Sequence, residues 1–481
     1  MPASALRLAH VILAVLSLAA CAGVTAPNVN VPDSWQAAAG NTGAAGGPGA
    51  AAPPDALWWQ RFQSPELGRL IVEATANNHD LKSAVFRVLQ SESSAVVAGA
   101  ALFPSVSAGL GASRSVRQAG GGPSTTSVGY QGTLQASYQL DLFGEARNSA
   151  ASAVKRLESS LYDRETVTIT LVSNVITAYL QVLSARERQQ YAADRLRNAE
   201  AILRLLETQR RVGTLSELEL AQQRAALANQ RAALPALRLA EQQSLHALAV
   251  LLGRNPQGFD VEARMLSDLT LPEVAAGIPS TLLVRRPDLR RAESNLKAAS
   301  FDVAAARAAR LPSIQLTGSG GTSSNALAGL FTTGTFFYSL GASASEALFA
   351  GGRLQAQEQG SRARYREVAE NYQQAVISAF GDVEDALAAV GQNGQQYDLA
   401  REASTQADLA YRLAELRYRA GAVDFQTVLN AQNGAFQSQE SLVQSRLSRF
   451  TAVIGLTLAL GGGWDGATPE APPLSAVSAS F

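Results

Sequence analysis

The sequence has few of the residues from which metal and disulfide sites are built. Its 481 residues include one cysteine, Cys21, and three histidines. A single cysteine excludes an intrachain disulfide and a zinc site made of cysteine ligands. The histidines lie far apart in the sequence, at His10, His79 and His246. We interpret His79 and His246, which fall on helical segments, as surface or packing residues.

The sequence also lacks an excess of charge and the common catalytic motifs. It has 40 basic and 40 acidic residues, and this balance gives no indication of a nucleic-acid surface. None of the patterns HExxH, GxxxxGKS, GxxxxGKT or GxSxG occurs, so the signatures of zinc proteases, P-loop nucleotidases and α/β-hydrolases are missing. The sequence therefore predicts a protein that is not an enzyme and that does not draw energy from ATP.

The N-terminal segment has the features of a secretory signal followed by a lipid attachment site. The apolar run at residues 8–18 is too short to span a membrane comfortably, so residues 1–20 are predicted to be a signal peptide. The letters LAAC, which end at Cys21, resemble the lipobox of bacterial lipoproteins, in which the cysteine carries lipid. Ala22 resembles the next residue of lipoproteins sent to the outer membrane. The alternative is an ordinary signal peptide with an unmodified cysteine.

One stretch joins a two-faced strand to an unusually long helix. From Val128 to Leu142, apolar residues occupy even positions, and mainly glutamine, serine and threonine occupy odd positions. Period two predicts a β-strand with one apolar and one polar face. Gly144 ends this pattern, and helical spacing continues from Glu145 to Arg211 without proline or glycine. At about 1.5 Å per residue such a helix approaches 100 Å, which is longer than a globular domain tolerates.

The second half of the chain repeats this plan. The alternating segments form two predicted hairpins, which are residues 105–116 with 128–142 and residues 314–319 with 336–345. Loops are predicted at 118–127 and 321–335, and a long helix and a returning helix follow each hairpin. We divide the chain into a signal peptide (1–20), a flexible lipid-anchored tether (21–54), a first repeat (55–254), a linker (255–287), a second repeat (288–463) and a flexible tail (464–481).

The predicted strands are about as long as membrane-spanning barrel strands, which have roughly 9 to 11 residues. An open sheet edge in hydrocarbon leaves unpaired backbone groups, and each of them is costly. Four strands are too few to close a barrel, because about eight is the practical minimum. If the strands lie in a membrane, several chains must share one barrel, with eight strands in a dimer or twelve in a trimer. The alternative is a soluble four-stranded sheet.

Several short motifs, taken in order, resemble the TolC-like outer membrane factor family, in particular its NodT-type lipoprotein branch. They are DLFG at 141–144, LAVLLG at 248–253, RRPD at 285–288, and the turn sequences RVGT at 211–214 and RAGA at 419–422. The resemblance covers nearly the whole chain after the signal peptide. It implies an α+β membrane protein that forms a homotrimer. In such a trimer, four strands per chain form a 12-stranded outer-membrane β-barrel, and the helices continue it as a long periplasmic α-helical barrel.

The resemblance also implies a function and a location. Such a chain is the outer-membrane exit duct of a tripartite efflux pump in a Gram-negative bacterium, and it conducts small molecules passively. Its expected partners are a periplasmic adaptor (membrane fusion) protein, an inner-membrane transporter of the proton-driven RND type and outer-membrane lipid. No cofactor is expected apart from the covalent lipid on Cys21. The alternatives are an exit duct for type I protein secretion and a structural envelope lipoprotein without a channel.

The two turns between the long helices are predicted to have both a structural and a binding role. A glycine in each turn supplies the permissive backbone that ends a helix, and a serine or aspartate three residues later can cap the next helix. In the resembled family these turns form the periplasmic tip that meets the adaptor. The predicted adaptor-contact tip consists of Arg211, Gly213, Ser216, Arg419, Gly421 and Asp424.

The periplasmic gate is expected close to the second turn. Many members of the resembled family carry aspartates at the start of the return helix, and these form a ring of carboxylates. Here the matching positions are Thr427 and Asn430, and neither is charged. A gate at these residues must rely on narrow packing and hydrogen bonds, so we expect it to bind cations less strongly than an aspartate ring does.

Overall fold

The computed structural model describes residues 31–36, 55–118, 120, 124–213, 216–275, 277–332, 334–467 and 469. The predicted signal peptide and Cys21 lie outside these residues. The described chain divides into two compact units. The described residues of the sheet unit fall within 93–156 and 293–374, and those of the helical unit fall within 31–92, 157–292 and 375–469.

The secondary structure follows one plan twice. The helices of the described chain are α1 (Pro65–Asn77), α2 (His79–Ala100), α3 (Glu145–Arg211), α4 (Glu217–Leu251), α5 (Leu282–Arg285), α6 (Pro287–Ala308), α7 (Arg353–Arg419) and α8 (Phe425–Ala459). The strands are β1 (Ser105–Arg117), β2 (Thr125–Leu140), β3 (Ser313–Ser324) and β4 (Phe336–Ser345). Helices α2 and α6 each have 22 residues, α3 and α7 each have 67, and α4 and α8 each have 35. The internal duplication expected from the sequence is confirmed.

The four strands form one antiparallel sheet in the order β1-β2-β3-β4. Across it, Leu134 pairs with Ala108 on one side and with Gly320 on the other. Gly320 in turn pairs with Tyr338. Paired residues point to the same side of a sheet, so even-numbered residues share one face and odd-numbered residues share the other. Within the described residues, β1 and β4 each leave one edge without a partner strand.

Gly321 lies in strand β3 and not in the loop that the sequence predicts at 321–335. The strand continues to Ser324, so the expected start of that loop is wrong. A Cβ atom on Gly321 would lie 2.1 Å from the carbonyl oxygen of Gly132 on the neighbouring strand. The two backbones approach too closely for a side chain, and this is why a glycine occupies a strand position here.

Apolar residues recur at helical spacing from Pro65 to Leu102, but a break at Asn78 divides this stretch into α1 and α2. The Asn78 side chain accepts a hydrogen bond from the backbone N–H of Leu81 at 2.9 Å, as a helix N-cap does. Its amide group donates to the carbonyl oxygen of Leu251 at 3.0 Å. Asn78 therefore starts α2 and also ties it to the C-terminal end of α4.

A carboxylate fastens the joint between β2 and α3. Asp141 accepts hydrogen bonds from the backbone N–H groups of Ala146 at 3.2 Å and Arg147 at 2.9 Å. The Arg147 guanidinium donates to the same carboxylate at 3.0 Å. Gly144 has a φ of +84°, which a residue with a side chain rarely adopts. These contacts redirect the chain from strand to helix within a few residues.

The core of the helical unit draws on both halves of the chain. Phe62, in a short 3₁₀ turn, stacks on Phe450 of α8 with ring centroids 6.0 Å apart. The most apolar part of α3 contributes to the same core. Of the 18 consecutive residues of α3 with the highest hydropathy, 61% are buried inside the protein. Its largest fully buried side chains are Trp58, Phe62, Leu67, Ile71, Ile176, Tyr179, Leu180, Leu183 and Leu248.

Two neighbouring charged residues of α3 hold the linker against this core. Arg186 donates to the carbonyl oxygens of Val261 at 2.6 Å and Ala263 at 2.8 Å. Glu187, which is fully buried, accepts from the backbone N–H of Ser267 at 3.1 Å and pairs with Arg446 of α8. Buried charges are tolerated where they are paired and hydrogen-bonded, as these are.

Candidate functional site

The first turn of the predicted tip joins α3 to α4. Arg211 is the last residue of α3, and Gly213 has a φ of +79°, the left-handed conformation that commonly ends a helix. Ser216 caps α4, because its hydroxyl accepts from the backbone N–H of Glu219. The Glu219 carboxylate accepts in return from the Ser216 N–H at 3.0 Å, which completes a capping box.

The second turn joins α7 to α8 with similar backbone chemistry. Gly421 has a φ of +70°, and the N–H of Ala422 donates to the carbonyl oxygen of Arg417 at 2.9 Å. This is the hydrogen bond of a Schellman helix ending. Asp424 caps α8 by accepting from the backbone N–H of Thr427 at 2.9 Å.

The two arginines of the predicted tip lie at exposed helix ends. Arg211 donates to the hydroxyl of Thr208 on its own helix at 3.1 Å. Arg419, the last residue of α7, pairs with Glu415 one turn earlier on the same helix at 2.5 Å. The solvent-exposed guanidinium groups remain accessible to a partner in the single chain.

One apolar cluster brings the two turns together. It contains residues from all four long helices, namely Ile202, Leu206, Leu220, Tyr411, Ala414, Phe425, Val428, Leu429 and Ala435. The hydroxyl of Tyr418 on α7 also donates to the side-chain oxygen of Gln209 on α3 at 3.3 Å. The six tip residues predicted from the sequence therefore lie at one end of the four-helix group.

The two predicted gate residues share the exposed face of α8. Thr427 and Asn430 are solvent-exposed, while Phe425 and Val428 are buried on the opposite side. The Asn430 side-chain oxygen accepts from the Gln426 amide at 2.9 Å. The Thr427 hydroxyl donates to the Asp424 carboxylate at 2.5 Å. Both gate side chains are therefore already hydrogen-bonded within their own helix or its cap.

Asp424 adds a charge that the sequence-based account of the gate left out. Hydrogen bonds from the Thr427 hydroxyl and backbone lower the pKa of Asp424 below its usual 3.8, so this carboxylate is ionised at neutral pH. The sequence signal was its N-cap position, from which a carboxylate reaches the third helical residue. The predicted gate residues are uncharged, but an ionised group lies in direct contact with one of them.

The two faces of the sheet have opposite polarity, as the alternating pattern predicts. On the even face, Leu110 is 87% exposed and Leu340 is 82% exposed in the single chain. On the odd face, the hydroxyls of Ser105 and Ser137 lie 2.9 Å apart and share a hydrogen bond. An apolar outer face and a polar inner face are the pattern of outer-membrane barrels.

Comparison with known proteins decides the family. The family model of outer membrane efflux proteins matches residues 70–254 and 278–462. The chain belongs to the outer membrane efflux protein family. Its two matched regions are the two halves that carry the duplicated strands and helices. Among the described residues, no group of His, Cys, Asp and Glu is arranged to hold a metal ion.

Similar proteins extend this result over nearly the whole chain. The pyoverdine export outer membrane protein OpmQ of Pseudomonas aeruginosa is 40% identical over 465 residues, which cover 94% of this chain and 96% of that protein. The toluene efflux pump outer membrane protein TtgC of Pseudomonas putida is 33% identical, with 92% and 93% covered. The probable outer membrane lipoprotein SilC of Salmonella typhimurium is 32% identical, with 85% and 88% covered.

Solved channel structures share the fold. The outer-membrane channel OprN superposes with a TM-score of 0.83 at 27% identity, covering 92% of this chain and 99% of that one. The open state of the Neisseria gonorrhoeae MtrE outer membrane channel gives a TM-score of 0.82 at 29% identity, covering 93% and 99%. The expected fold class is confirmed, and this efflux protein is an outer-membrane channel component.

Proposed function

We propose that three identical copies of this efflux protein close one 12-stranded barrel around a water-filled lumen. The observation that carries the proposal is the sheet itself, which has an apolar face, a polar face and, among the described residues, an unpaired edge on both β1 and β4. In hydrocarbon each unpaired edge needs a partner strand. A trimer supplies it by pairing β4 of each copy with β1 of the next. The even face then meets lipid and the odd face lines the lumen.

The duct works passively within a tripartite efflux system. The sequence carries no nucleotide-binding motif, so the driving force comes from an inner-membrane transporter, which we propose to be proton-driven and of the RND type. A periplasmic adaptor joins that transporter to the exposed tip at Arg211 and Arg419. Lipid on Cys21 anchors each copy to the outer membrane, since several acyl chains hold a protein far more firmly than one.

The cargo consists of small molecules that the transporter selects. The similar proteins include one named for pyoverdine export and one named for toluene efflux, which are chemically unlike. A lumen lined by serine, threonine and glutamine offers hydrogen bonds but no fixed charge along most of its strands. We therefore assign cargo choice to the transporter and only conduction to the duct.

Cysteine crosslinking between the two edge strands tests the trimer. Cys21 is the only native cysteine, so an added pair reports without interference once Cys21 carries lipid. One cysteine replaces Ser343 on β4, and a second is scanned along the serines of β1 at positions 105, 107, 113 and 115. We expect at least one pair to give covalent species that end at the trimer. Crosslinked species that stop at the dimer, or that continue beyond the trimer, would contradict the proposal.

Substitution of one arginine at each of the two turns tests the adaptor contact. In Arg211→Ala and Arg419→Ala chains that still assemble, we expect weaker crosslinking to the adaptor and lower efflux. The matched control is Arg231→Ala, which removes a guanidinium from α4 several turns away from the tip. Unchanged crosslinking and efflux in the two tip variants would remove these arginines from the contact.

A further inference from the structure

A tryptophan within the predicted tether is buried, although the tether was expected to be flexible throughout. Trp35 is only 6% exposed, and its indole packs against Phe380 of α7 with ring centroids 6.0 Å apart. The indole N–H donates to the carbonyl oxygen of Gly277 in the linker at 3.0 Å. The next residue, Gln36, donates its backbone N–H to the Glu384 carboxylate at 2.7 Å. We call Gly277, Phe380 and Glu384 the Trp35 seat.

The Trp35 seat offers both a hydrogen-bond acceptor and an aromatic contact, and an indole side chain uses both. A buried indole needs an acceptor for its N–H, and the Gly277 carbonyl supplies one. The tilted ring pair with Phe380, at 58°, is a favoured geometry for aromatic side chains. All of these residues belong to the helical unit of one chain, so the seat is complete without a second copy.

Docking of Trp35 in the seat shortens the free chain between the lipid anchor and the folded protein. Trp35 follows Cys21 by 14 residues, which span at most about 50 Å when extended. Among the described residues, the next buried anchor is Trp58, which is 2% exposed and follows Cys21 by 37 residues. Without the seat, the lipid would be tied to the folded chain by a tether that reaches up to about 130 Å.

We propose that Trp35 docks in this seat to shorten the lipid tether and so speeds trimer assembly in the outer membrane. The proposal rests on the lipid anchor at Cys21 proposed above. The effective concentration of tethered groups falls roughly as the −3/2 power of tether length. Lengthening the tether from 14 to 37 residues lowers it about fourfold. A short tether keeps a newly lipidated copy close to the membrane and to other copies.

Four variants separate tether length from folding. The first is Trp35→Ala, and the second keeps Trp35 but carries 23 Gly and Ser residues after Gly23. The third combines both changes, and the fourth carries the same insertion after Ala45, between Trp35 and Trp58. The measurement is the rate at which pulse-labelled, lipidated chain enters the crosslinked outer-membrane trimer.

The expected rates follow from tether length alone. Trp35→Ala and the insertion after Gly23 each slow assembly about fourfold, and the combination slows it about ninefold. The insertion after Ala45 leaves the rate unchanged while Trp35 is docked. Trp35→Phe, which keeps the ring contact but loses the donor to Gly277, gives an intermediate rate.

Two results would overturn the role of the seat. One is an unchanged rate with the insertion after Gly23, and the other is equal slowing by the insertion after Ala45. Hydrogen exchange at residues 277–281 reports seat occupancy separately, and Trp35→Ala should raise it. A Cys21 peptide without lipid in mass spectrometry would instead contradict the proposed anchor, whatever the rates are.

Discussion

The two long helix pairs of the helical unit end in similar turns but are held together by different forces. Besides the buried Arg186–Glu241 pair at 2.7 Å, the first pair, α3 with α4, is joined by three ion pairs in the part that leads to the turn. These are Arg210–Glu217 at 3.2 Å, Arg224–Glu207 at 3.7 Å and Arg231–Glu200 at 2.8 Å. Their side chains are substantially exposed, so each pair contributes about 0 to 1 kcal/mol and weakens as salt is added.

The second pair, α7 with α8, is closed mainly by aromatic packing. Tyr418 and Phe425 have ring centroids 5.4 Å apart, and Phe425 is 1% exposed. The ion pairs of α7 close to this turn, Arg412–Asp408 and Arg419–Glu415, run along the helix rather than across to α8. The two halves therefore share the same backbone plan, but different interactions hold each helix pair together near its turn.

Helix α8 also makes polar contacts with α3, which belongs to the first half of the chain. On α3, Arg195 donates to the Gln439 side chain at 3.0 Å and to the Ala435 carbonyl oxygen at 2.9 Å, both on α8. Helix α8 is thus bound by polar contacts to the first half of the chain. Both turns share the apolar cluster, but exposed ion pairs cross from α3 to α4 near the first turn, while the Tyr418–Phe425 ring contact closes the second.

The largest expected effect is at Phe425. Phe425→Ala removes a fully buried ring and should cost about 3 to 5 kcal/mol, with strongly raised hydrogen exchange in both turn-proximal ends of α7 and α8. Glu217→Gln is the matched change at the first turn and should cost at most about 1 kcal/mol. Thermal melting of the detergent-solubilised protein, at low and at high salt, measures both. Equal losses in the two variants would end the contrast between the turns.

A second prediction concerns a feature that the two halves share. Gly253 and Gly461 follow the return helices with φ values of +70° and +72°. A Cβ atom would lie 2.6 Å from the Asn77 carbonyl oxygen in the first case and 2.4 Å from the Arg285 carbonyl oxygen in the second. Alanine at either position should cost more than about 2 kcal/mol, because left-handed backbone strain adds to the clash.

The control for these glycines lies within α8. Gly455 has no heavy atom within 4 Å of its would-be Cβ, so Gly455→Ala should stabilise the helix by about 0.5 to 1 kcal/mol. Melting temperatures of the three variants test the prediction. A tolerated Gly461→Ala would show that the two halves do not share this close approach.

A third prediction uses pH to separate the two caps. The pKa of Asp424 is lower in the folded chain than in the unfolded chain. The stabilisation that its ionised cap gives to α8 is therefore complete above the unfolded pKa and is lost as pH falls through the folded pKa. The Ser216 hydroxyl does not titrate in this range. As the pH falls below 3.8 and through the folded pKa, the amide of Thr427 should lose exchange protection in the native chain but not in Asp424→Asn. An identical pH profile in both chains would contradict the assignment.

The smallest expected effect concerns cations at the gate. Thr427 and Asn430 carry no charge, so divalent and micromolar trivalent cations added from the periplasmic side should alter single-channel conductance little. A chain with Thr427→Asp and Asn430→Asp should gain cation block. Strong block of the native chain by micromolar trivalent cations would instead assign the binding to Asp424.

The sequence predicted the long elements well because their ends carry strong local signals. The helix expected from Glu145 to Arg211 has those bounds, since glycines flank it and none lies inside it. The period-two pattern likewise predicted which side of each strand is apolar. Proline inside a helix removes a backbone hydrogen bond, yet α4 contains Pro235 and continues through it.

The errors occurred where distant contacts override local signals. Gly321 looks like a loop residue in the sequence, but it is needed for close strand pairing with Gly132. Asn78 divides a periodic helix because its side chain caps α2 at Leu81 and donates to the distant Leu251 carbonyl oxygen at the end of α4. Trp35 lies beside an Ala- and Gly-rich stretch, and only its distant partners explain its burial.

Single-channel conductance of the purified lipidated protein in a planar bilayer tests the central claim most directly. If three copies close a barrel around a polar lumen, protein of verified trimeric mass should insert and give discrete conductance steps of uniform size. Protein of that mass which inserts into the bilayer and gives no conductance steps would contradict the account.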